Sequence, residues 1–171
     1  MPFPFVIRRT NATDGALLRD LRIAALTEAP YAFGAKLSDV MAEPLDAFQT
    51  TASRHASSDI STSFIAFAGD VAIGTVGAFV EQQAPYRAFI CALWLHPEKR
   101  GSSIASELVG TACSWLRQRS GQEVFAWIAD ANARALTFYR RLGFSATSDR
   151  QPLPSNPDEY ETLLCLRLDD G

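Results

Sequence analysis

The chain has 171 residues, and because domains usually contain about 100 to 200 residues, we expect a single domain over residues 1–171. Its composition, with 47% hydrophobic and 20% charged residues, is that of a globular protein and excludes a disordered chain. A formal net charge of −3 at pH 7 argues against a nucleic-acid-binding protein that relies on a basic surface.

Membrane, secreted and metal-binding proteins are also disfavoured. The longest apolar run, Ala88–Leu95, is much shorter than the roughly 20 residues that cross a bilayer, and the first residues lack the pattern of a secretory signal. We therefore expect a cytoplasmic protein whose three widely spaced cysteines are reduced. His55 and His96 are the two histidines, and neither CxxC nor HExxH occurs, so we expect no metal site.

The first third of the chain predicts one strand and two helices. Phe5–Arg9 alternates as a strand would, and Asp14 can cap a following helix that Pro30 ends. Small polar residues and prolines between residues 29 and 63 predict loops on either side of a helix at Leu45–His55.

The middle of the chain predicts three strands and the clearest helix. Phe64–Ala68 and Val71–Val80 flank a Gly-Asp pair, which predicts a hairpin. Ala88–Leu95 is apolar throughout, as a central strand buried on both faces would be. Apolar residues then recur at helical spacing from Ile104 until Gly121.

The last third predicts a strand at Val124–Ile128, a helix at Asn132–Leu142 and a final strand at Tyr160–Leu168. Three prolines make Gln151–Pro157 a predicted surface loop between late strands. Strands alternating with helices in this order indicate an α/β or α+β fold with a mixed sheet.

A turn rich in small residues follows the predicted central strand and leads into the clearest helix. It contains Arg100, Gly101, Ser102, Ser103, Ile104 and Ala105. Unpaired amides and the positive end of the dipole allow such a helix start to bind a phosphate or pyrophosphate. The turn is neither a Walker loop nor a GxGxxG dinucleotide motif, and by itself it is equally compatible with a plain polar turn.

A second segment, Asp130–Phe144, follows the next predicted strand. Arg100–Ala105 resembles the Arg/Gln-x-x-Gly-x-Gly/Ala signature of the GCN5-related N-acetyltransferase (GNAT) family, and Asp130–Phe144 resembles that family's Asn-x-x-Ala-x-x-Phe-Tyr-x-x-x-Gly-Phe stretch. The two motifs occur in the family's order and at its usual separation. The first strand, the first helix and the hairpin also look like that family, so the resemblance covers nearly the whole chain.

The resemblance implies an α/β (α+β) fold with a mixed, largely antiparallel seven-stranded sheet flanked by about four helices. It also implies a V-shaped opening between two parallel central strands that holds acetyl-CoA. Backbone groups of Leu93, Trp94 and Leu95 would contact the pantetheine arm, and the amides of residues 100–105 would hold the pyrophosphate. Asn132 would bind the pantetheine arm and Tyr139 would lie beside the sulfur, although a helix N-cap and a core residue are the respective alternatives.

Charge and one departure from the signature bear on this cofactor. Residues 95–141 contain seven Lys and Arg against four Asp and Glu, whereas the rest of the chain is acidic, which favours a polyanionic ligand on this side. Ser103 stands where the family signature usually has its middle glycine. Its side chain would either crowd the pyrophosphate or donate a hydrogen bond to it.

Direct transfer of an acetyl group to an amine needs a base and an acid. A lysine-like amine is almost fully protonated at pH 7, so a general base is usually required. Many family members place a glutamate on the strand equivalent to Ala88–Leu95, which has none here. Glu28 and Glu81 are the candidates for the base, and a solvated surface carboxylate is the alternative for each. A phenol with a pKa of about 10 can reprotonate a thiolate, which makes Tyr139 the candidate general acid.

The acceptor stays open between a small-molecule primary amine, an amino-acid-like metabolite and a peptide or protein N-terminus. We expect residues 28–33, 35–63 and 151–160 to shape its site. A non-catalytic acyl-CoA-binding regulatory module is the alternative function, because the central strand lacks a base. A nucleotide-binding module is weakened by the absence of a phosphate-loop lysine. We expect no nucleic-acid or membrane partner, and a homodimer is an open assembly.

Overall fold

The computed structural model describes residues 4–168. Within that range the strands are Val6–Arg9 (β1), Ser61–Ala68 (β2), Val71–Val80 (β3), Ala88–Leu95 (β4), Glu123–Ala129 (β5), Ser145–Leu153 (β6) and Asn156–Arg167 (β7). The α-helices are Gly15–Glu28 (α1), Leu37–Ala42 (α2), Leu45–Ser57 (α3), Ile104–Ser120 (α4) and Ala133–Arg141 (α5). Short 3₁₀ turns occur at Pro30–Ala32 and Pro97–Lys99.

All seven strands lie in one sheet, in the order β1-β2-β3-β4-β5-β7-β6. Neighbouring strands are antiparallel except for β4 and β5, which are parallel. The expected fold class, a mixed and largely antiparallel seven-stranded sheet, is therefore confirmed. The described residues contain five α-helices rather than about four.

The sheet separates two apolar cores. On one face α4 and α5 pack against the central strands, and Leu108 and Leu116 of α4 are completely buried there. On the other face α1, α2 and α3 enclose Leu26 and Ile65. The central strand β4 is buried at both ends, as its apolar run predicts, but its middle is not, because Cys91 is exposed and Ala92 and Leu93 are half-buried. No α-helix in residues 4–168 has the length and hydrophobicity to span a membrane.

Two sequence predictions in the irregular regions are wrong. The expected surface loop at Gln151–Pro157 is a tight hairpin, because β6 continues to Leu153 and β7 already begins at Asn156. Since β6 is the edge strand of the sheet, Pro152 can occupy it without breaking a ladder of hydrogen bonds on both sides. The second error is α2, whose six residues are too few to show a helical period.

Asp14 occupies the predicted N-cap position of α1 but does not cap the helix. Its carboxylate instead accepts hydrogen bonds from Arg8 Nη1 at 2.7 Å and from the Asn11 amide at 2.7 Å. A guanidinium offers a stronger, charge-assisted partner than a helix amide. Asp14 therefore fastens the connection between β1 and α1.

Candidate active site

The two parallel strands separate soon after they meet. β4 and β5 are paired only at Ala88 with Val124 and at Phe89 with Phe125. Beyond these pairs a cleft of about 690 Å³ opens between the strands. Leu93, Trp94 and Leu95 of β4 line it, so all three of the strand residues expected at the site lie there.

β4 contains an irregularity just after its last pair with β5. Cys91 is opposite Gly77 and Trp94 is opposite Thr75, so β4 contains one more residue than β3 over this stretch. The extra residue forms a bulge, and Ala92 has a φ of 52°, which is unusual for a residue with a Cβ atom. The bulge interrupts the ladder and places Ala92 and Leu93 in the wall of the cleft.

The turn after β4 forms one end of the cleft. Arg100, Gly101, Ser102 and Ala105 line the cleft, whereas Ile104 is completely buried in the core and is not part of its lining. Gly101 has a φ of 83°, a conformation that disfavours any residue with a side chain. The Ser102 hydroxyl donates to the Lys99 carbonyl at 2.6 Å, which closes the turn just before α4 begins.

Ser103 has an ordinary backbone conformation, with a φ of −77° and a ψ of −5°. The conformation therefore does not require the glycine of the family signature. The Ser103 hydroxyl donates to Glu107 Oε1 at 3.0 Å on the exposed first turn of α4. Ser103 is not among the residues that line the cleft.

α5 contributes Asn132 and Tyr139 to the opposite wall of the cleft. The Asn132 side chain accepts a hydrogen bond from the Ala135 amide at 3.2 Å, so Asn132 acts as the helix N-cap. Tyr139 is 3% exposed and packs edge to face against Phe138 and Phe144. Burial raises the pKa of Tyr139, so its phenol keeps its proton at neutral pH.

Glu28 lies beside the cleft in a network of hydrogen bonds. It accepts two from Arg100, at 2.9 and 2.7 Å, and one from the Trp94 indole N–H at 3.1 Å. The Arg100 guanidinium is the main reason why the pKa of Glu28 is lowered. A carboxylate with these three donors is a weaker base than a free glutamate. Its contacts join the end of α1 to both β4 and the turn before α4.

Glu81 lies outside the lining of the cleft. It follows β3, at the end of the sheet opposite the cleft, and accepts hydrogen bonds from the Arg87 amide at 2.9 Å and from the Arg87 guanidinium at 3.2 Å. The same guanidinium lowers the pKa of Glu81. This ion pair closes the connection between β3 and β4.

Sequence reasoning missed several residues on the wall of the cleft. Trp127 and Cys91 line it without having been expected there. Ala29 and Phe33 also line it and belong to residues 28–33, which were expected to shape the acceptor site. Arg134 lines it as well and lies within the Asp130–Phe144 segment, where no role was predicted for it. Cys91 is an exposed residue, but its sulfur lies against Gly77 of β3, and loss of water around the thiol raises its pKa to about 11. No local motif marks Trp127 or Cys91, because each lies in an apolar strand segment that resembles ordinary core sequence. Among the described residues, no cluster of three His, Cys, Asp or Glu side chains could hold a metal ion.

The comparison with protein families decides the identity of the fold. A model of the acetyltransferase (GNAT) family matches residues 23–144, which is most of the chain and includes both motifs. The chain belongs to the GNAT family. The resemblance inferred from Arg100–Ala105 and Asp130–Phe144 is thereby confirmed.

Individual GNAT proteins agree with this assignment. N-alpha-acetyltransferase 30 from Schizosaccharomyces pombe is 33% identical over 84 residues, which are 48% of this chain and 56% of the relative. The match thus spans about half the length of that curated relative. A GNAT acetyltransferase from Streptococcus pneumoniae superposes with a TM-score of 0.80 at 17% identity, covering 97% of this chain and 100% of the other. A putative acetyltransferase from Salmonella typhimurium, solved with acetyl-CoA, has a TM-score of 0.77 at 15% identity and covers 98% and 96%.

Proposed function

We propose that this protein is an N-acetyltransferase that moves the acetyl group of acetyl-CoA directly to a primary amine of a small molecule or peptide. The observation that carries the proposal is the cleft that Leu93–Leu95, four residues of the turn (Arg100, Gly101, Ser102 and Ala105), Asn132 and Tyr139 line together. These residues come from three separate segments of the chain. A cleft that unites them on a GNAT fold supports one shared ligand.

The residues in the cleft fit acetyl-CoA. Beyond Phe89 the edge of β4 is not paired with β5, so its backbone can bind the amides of a pantetheine arm. Gly101 and the start of α4 suit a pyrophosphate, and Arg134 and Arg141 add positive charge to the lining. We propose that Asn132 binds the pantetheine arm through its amide group while its carbonyl oxygen caps α5.

Acetyl-CoA, when bound, supplies an activated thioester. We propose that Tyr139 is the general acid, which holds a proton on its hydroxyl group for the departing sulfur. The hydroxyl group is protonated at neutral pH, and because burial raises its pKa it is a weaker acid than the free phenol considered from the sequence, so the transfer depends on its position beside the sulfur. Asn132 and Tyr139 are seven residues apart, nearly two helical turns, so both side chains lie on one face of α5.

Glu28 and Glu81 were the candidates for the general base, and the contacts of both favour structural roles. Each carboxylate is bound by an arginine and has a lowered pKa. We propose that Glu28 positions Arg100 and Trp94 and that the amine loses its proton to water. The rate should then rise with pH as the acceptor amine becomes neutral.

A second cavity of about 540 Å³ lies next to the cleft and supports an acceptor site. It lies between the 3₁₀ turn at Pro30–Ala32 and the β6–β7 hairpin, and Tyr31, Lys36 and Tyr160 line it. The Ser155 hydroxyl donates to the Phe33 carbonyl at 2.7 Å and so joins the two segments. We propose that the acceptor enters from this side.

The activity is tested by incubating the protein with acetyl-CoA and a panel of amines and measuring the release of free thiol. Transfer to at least one class of amine is expected. A non-catalytic acyl-CoA-binding module remains the second candidate, because neither Glu28 nor Glu81 is free to act as a base. Binding of acetyl-CoA without turnover across the panel would favour that module.

We further propose a cytoplasmic location and a single domain over residues 1–171. All three cysteines are unpaired, which agrees with a reducing compartment. Gel filtration would distinguish a monomer from the homodimer that the sequence leaves open.

A further inference from the structure

Arg22 lies on α1 beside the cleft: it is not itself among the lining residues, but two residues that line the cleft, Phe33 and Cys91, are its neighbours. Ala29 is seven residues later, nearly two helical turns, and lines the cleft. The Arg22 guanidinium lies over the ring of Phe33, 5.4 Å from its centroid, and Phe33 also lines the cleft. Cys91 of β4 is also close enough to interact with Arg22 electrostatically. Arg22 is therefore located between the acceptor-side loop and the bulge of β4.

This guanidinium has no ionic or hydrogen-bonding partner in residues 4–168. Other arginines of the protein do: Arg8, Arg87, Arg100 and Arg150 each bind a carboxylate at 2.7 to 3.2 Å. Glu43 attracts Arg22 electrostatically without forming an ion pair.

A partly buried cation without an ionic or hydrogen-bonding partner is unfavourable, and the contact with the Phe33 ring offsets only part of that cost. Burial removes water from the charge, and the pKa of Arg22 is lowered chiefly for that reason. A buried charge is normally compensated by an opposite charge or by hydrogen bonds. Here the compensating anion is expected to arrive with a ligand. A carboxylate matches the planar fork of a guanidinium with two parallel hydrogen bonds.

We propose that Arg22 binds a carboxylate of the acetyl acceptor, and that the acceptor is therefore an amino-acid-like metabolite. The inference rests on the proposed function and selects among the three acceptor classes that the sequence leaves open. The phosphates of acetyl-CoA are assigned to the start of α4, so they do not supply this anion. The carboxylate of a free amino acid is replaced by an amide at a peptide N-terminus. A peptide offers a carboxylate near its reacting amine only where its first or second residue is Asp or Glu.

The test compares free amino acids with their carboxamides as acceptors, because each pair differs only in the carboxylate. The wild-type protein should prefer the free acids in kcat/KM by at least about tenfold. Arg22→Gln should lower kcat/KM for the acids by about 10- to 100-fold, the scale of a charge-assisted pair, and leave the carboxamides nearly unchanged. Arg22→Lys should recover part of the loss. Arg54→Gln, at an exposed arginine of α3, is the control for lost net charge.

Circular dichroism and acetyl-CoA binding establish whether Arg22→Gln is folded. Equal rates for acids and carboxamides, or an equal loss for both in Arg22→Gln, would overturn the carboxylate site and leave the transferase intact. If no amine reacts, the melting temperature of the protein with coenzyme A is measured with millimolar free amino acids. A shift that Arg22→Gln abolishes would support the site while the transferase fails. No reaction and no shift would overturn the site.

Discussion

At the scale of single residues, Tyr139 has the most specific proposed role. Its ring packs against Phe138 and Phe144, and the residue lines the cleft. Tyr139→Phe keeps the ring and its packing, so stability and acetyl-CoA affinity should barely change. Turnover should fall by about 10²-fold or more, the usual contribution of a positioned acid.

Steady-state kinetics on any acceptor found in the panel measure this change. Tyr86→Phe is the matched control, because Tyr86 is 61% exposed and does not line the cleft. Equal turnover in the wild type and Tyr139→Phe would show that Tyr139 contributes only to the packing of the core.

The contacts of Glu28 predict how the stability and the reaction rate depend on pH. Its lowered pKa keeps the carboxylate ionised throughout the neutral range, so it does not titrate between pH 6 and 9. A carboxylate with a lowered pKa stabilises the fold above its unfolded-state pKa, and that stability is lost as the pH falls through the folded-state value. Glu28→Gln should therefore reduce stability near neutral pH and lose less stability than the wild type on acidification. The shape of its pH–rate profile above pH 6 should be unchanged.

Glu81→Gln provides the comparison, since Glu81 makes a similar arginine pair outside the cleft. A limb of the wild-type profile that disappears only in Glu28→Gln would identify Glu28 as the general base after all.

At the scale of elements, the turn between β4 and α4 has Ser103 where the family signature usually has glycine. Ser103 has a right-handed helical backbone conformation, and its hydroxyl group already donates a hydrogen bond to the Glu107 carboxylate. Ser103→Gly should therefore change acetyl-CoA affinity by no more than about 1.5 kcal/mol, the scale of one hydrogen bond. Isothermal titration calorimetry measures this difference. Affinity that is present only in the glycine variant would mean that the native turn excludes the pyrophosphate.

The bulge of β4 depends on its neighbour β3. A Cβ atom on Gly77 would lie 2.8 Å from the Cys91 sulfur, closer than real side chains approach. Gly77→Ala should cost about 1 to 2 kcal/mol in the free energy of unfolding, as overpacking usually does. Adding Cys91→Ala removes the sulfur and should restore most of that loss in chemical denaturation. A cost that is unchanged in the double variant would show that the strain has another source.

At the scale of the whole molecule, the sequence predicts what is encoded locally and misses what is assembled from distant segments. The central strand, α4 and the two motif segments were found because each has its own period or spacing. Pro152 and Pro157 suggested a loop, but Pro152 fits β6 because that strand is at the sheet edge, and Pro157 fits the start of β7 because the pairing with β6 is irregular between Asn156 and Tyr160. The contact of Glu28 with Arg100 and the position of Arg22 over Phe33 depend on the folded chain. The lining that the two motif segments give to the cleft could therefore be predicted residue by residue, and the loops around the second cavity only as ranges.

The most direct test of the account is the effect of acetyl-CoA on thermal unfolding. A ligand that binds only the folded protein stabilises it by about 2.7 kcal/mol at 100 times its dissociation constant, which raises the melting temperature by several degrees. We predict this rise with acetyl-CoA and much smaller changes with ATP or NAD at the same concentration. An unchanged melting temperature in millimolar acetyl-CoA would contradict the assignment of the cleft.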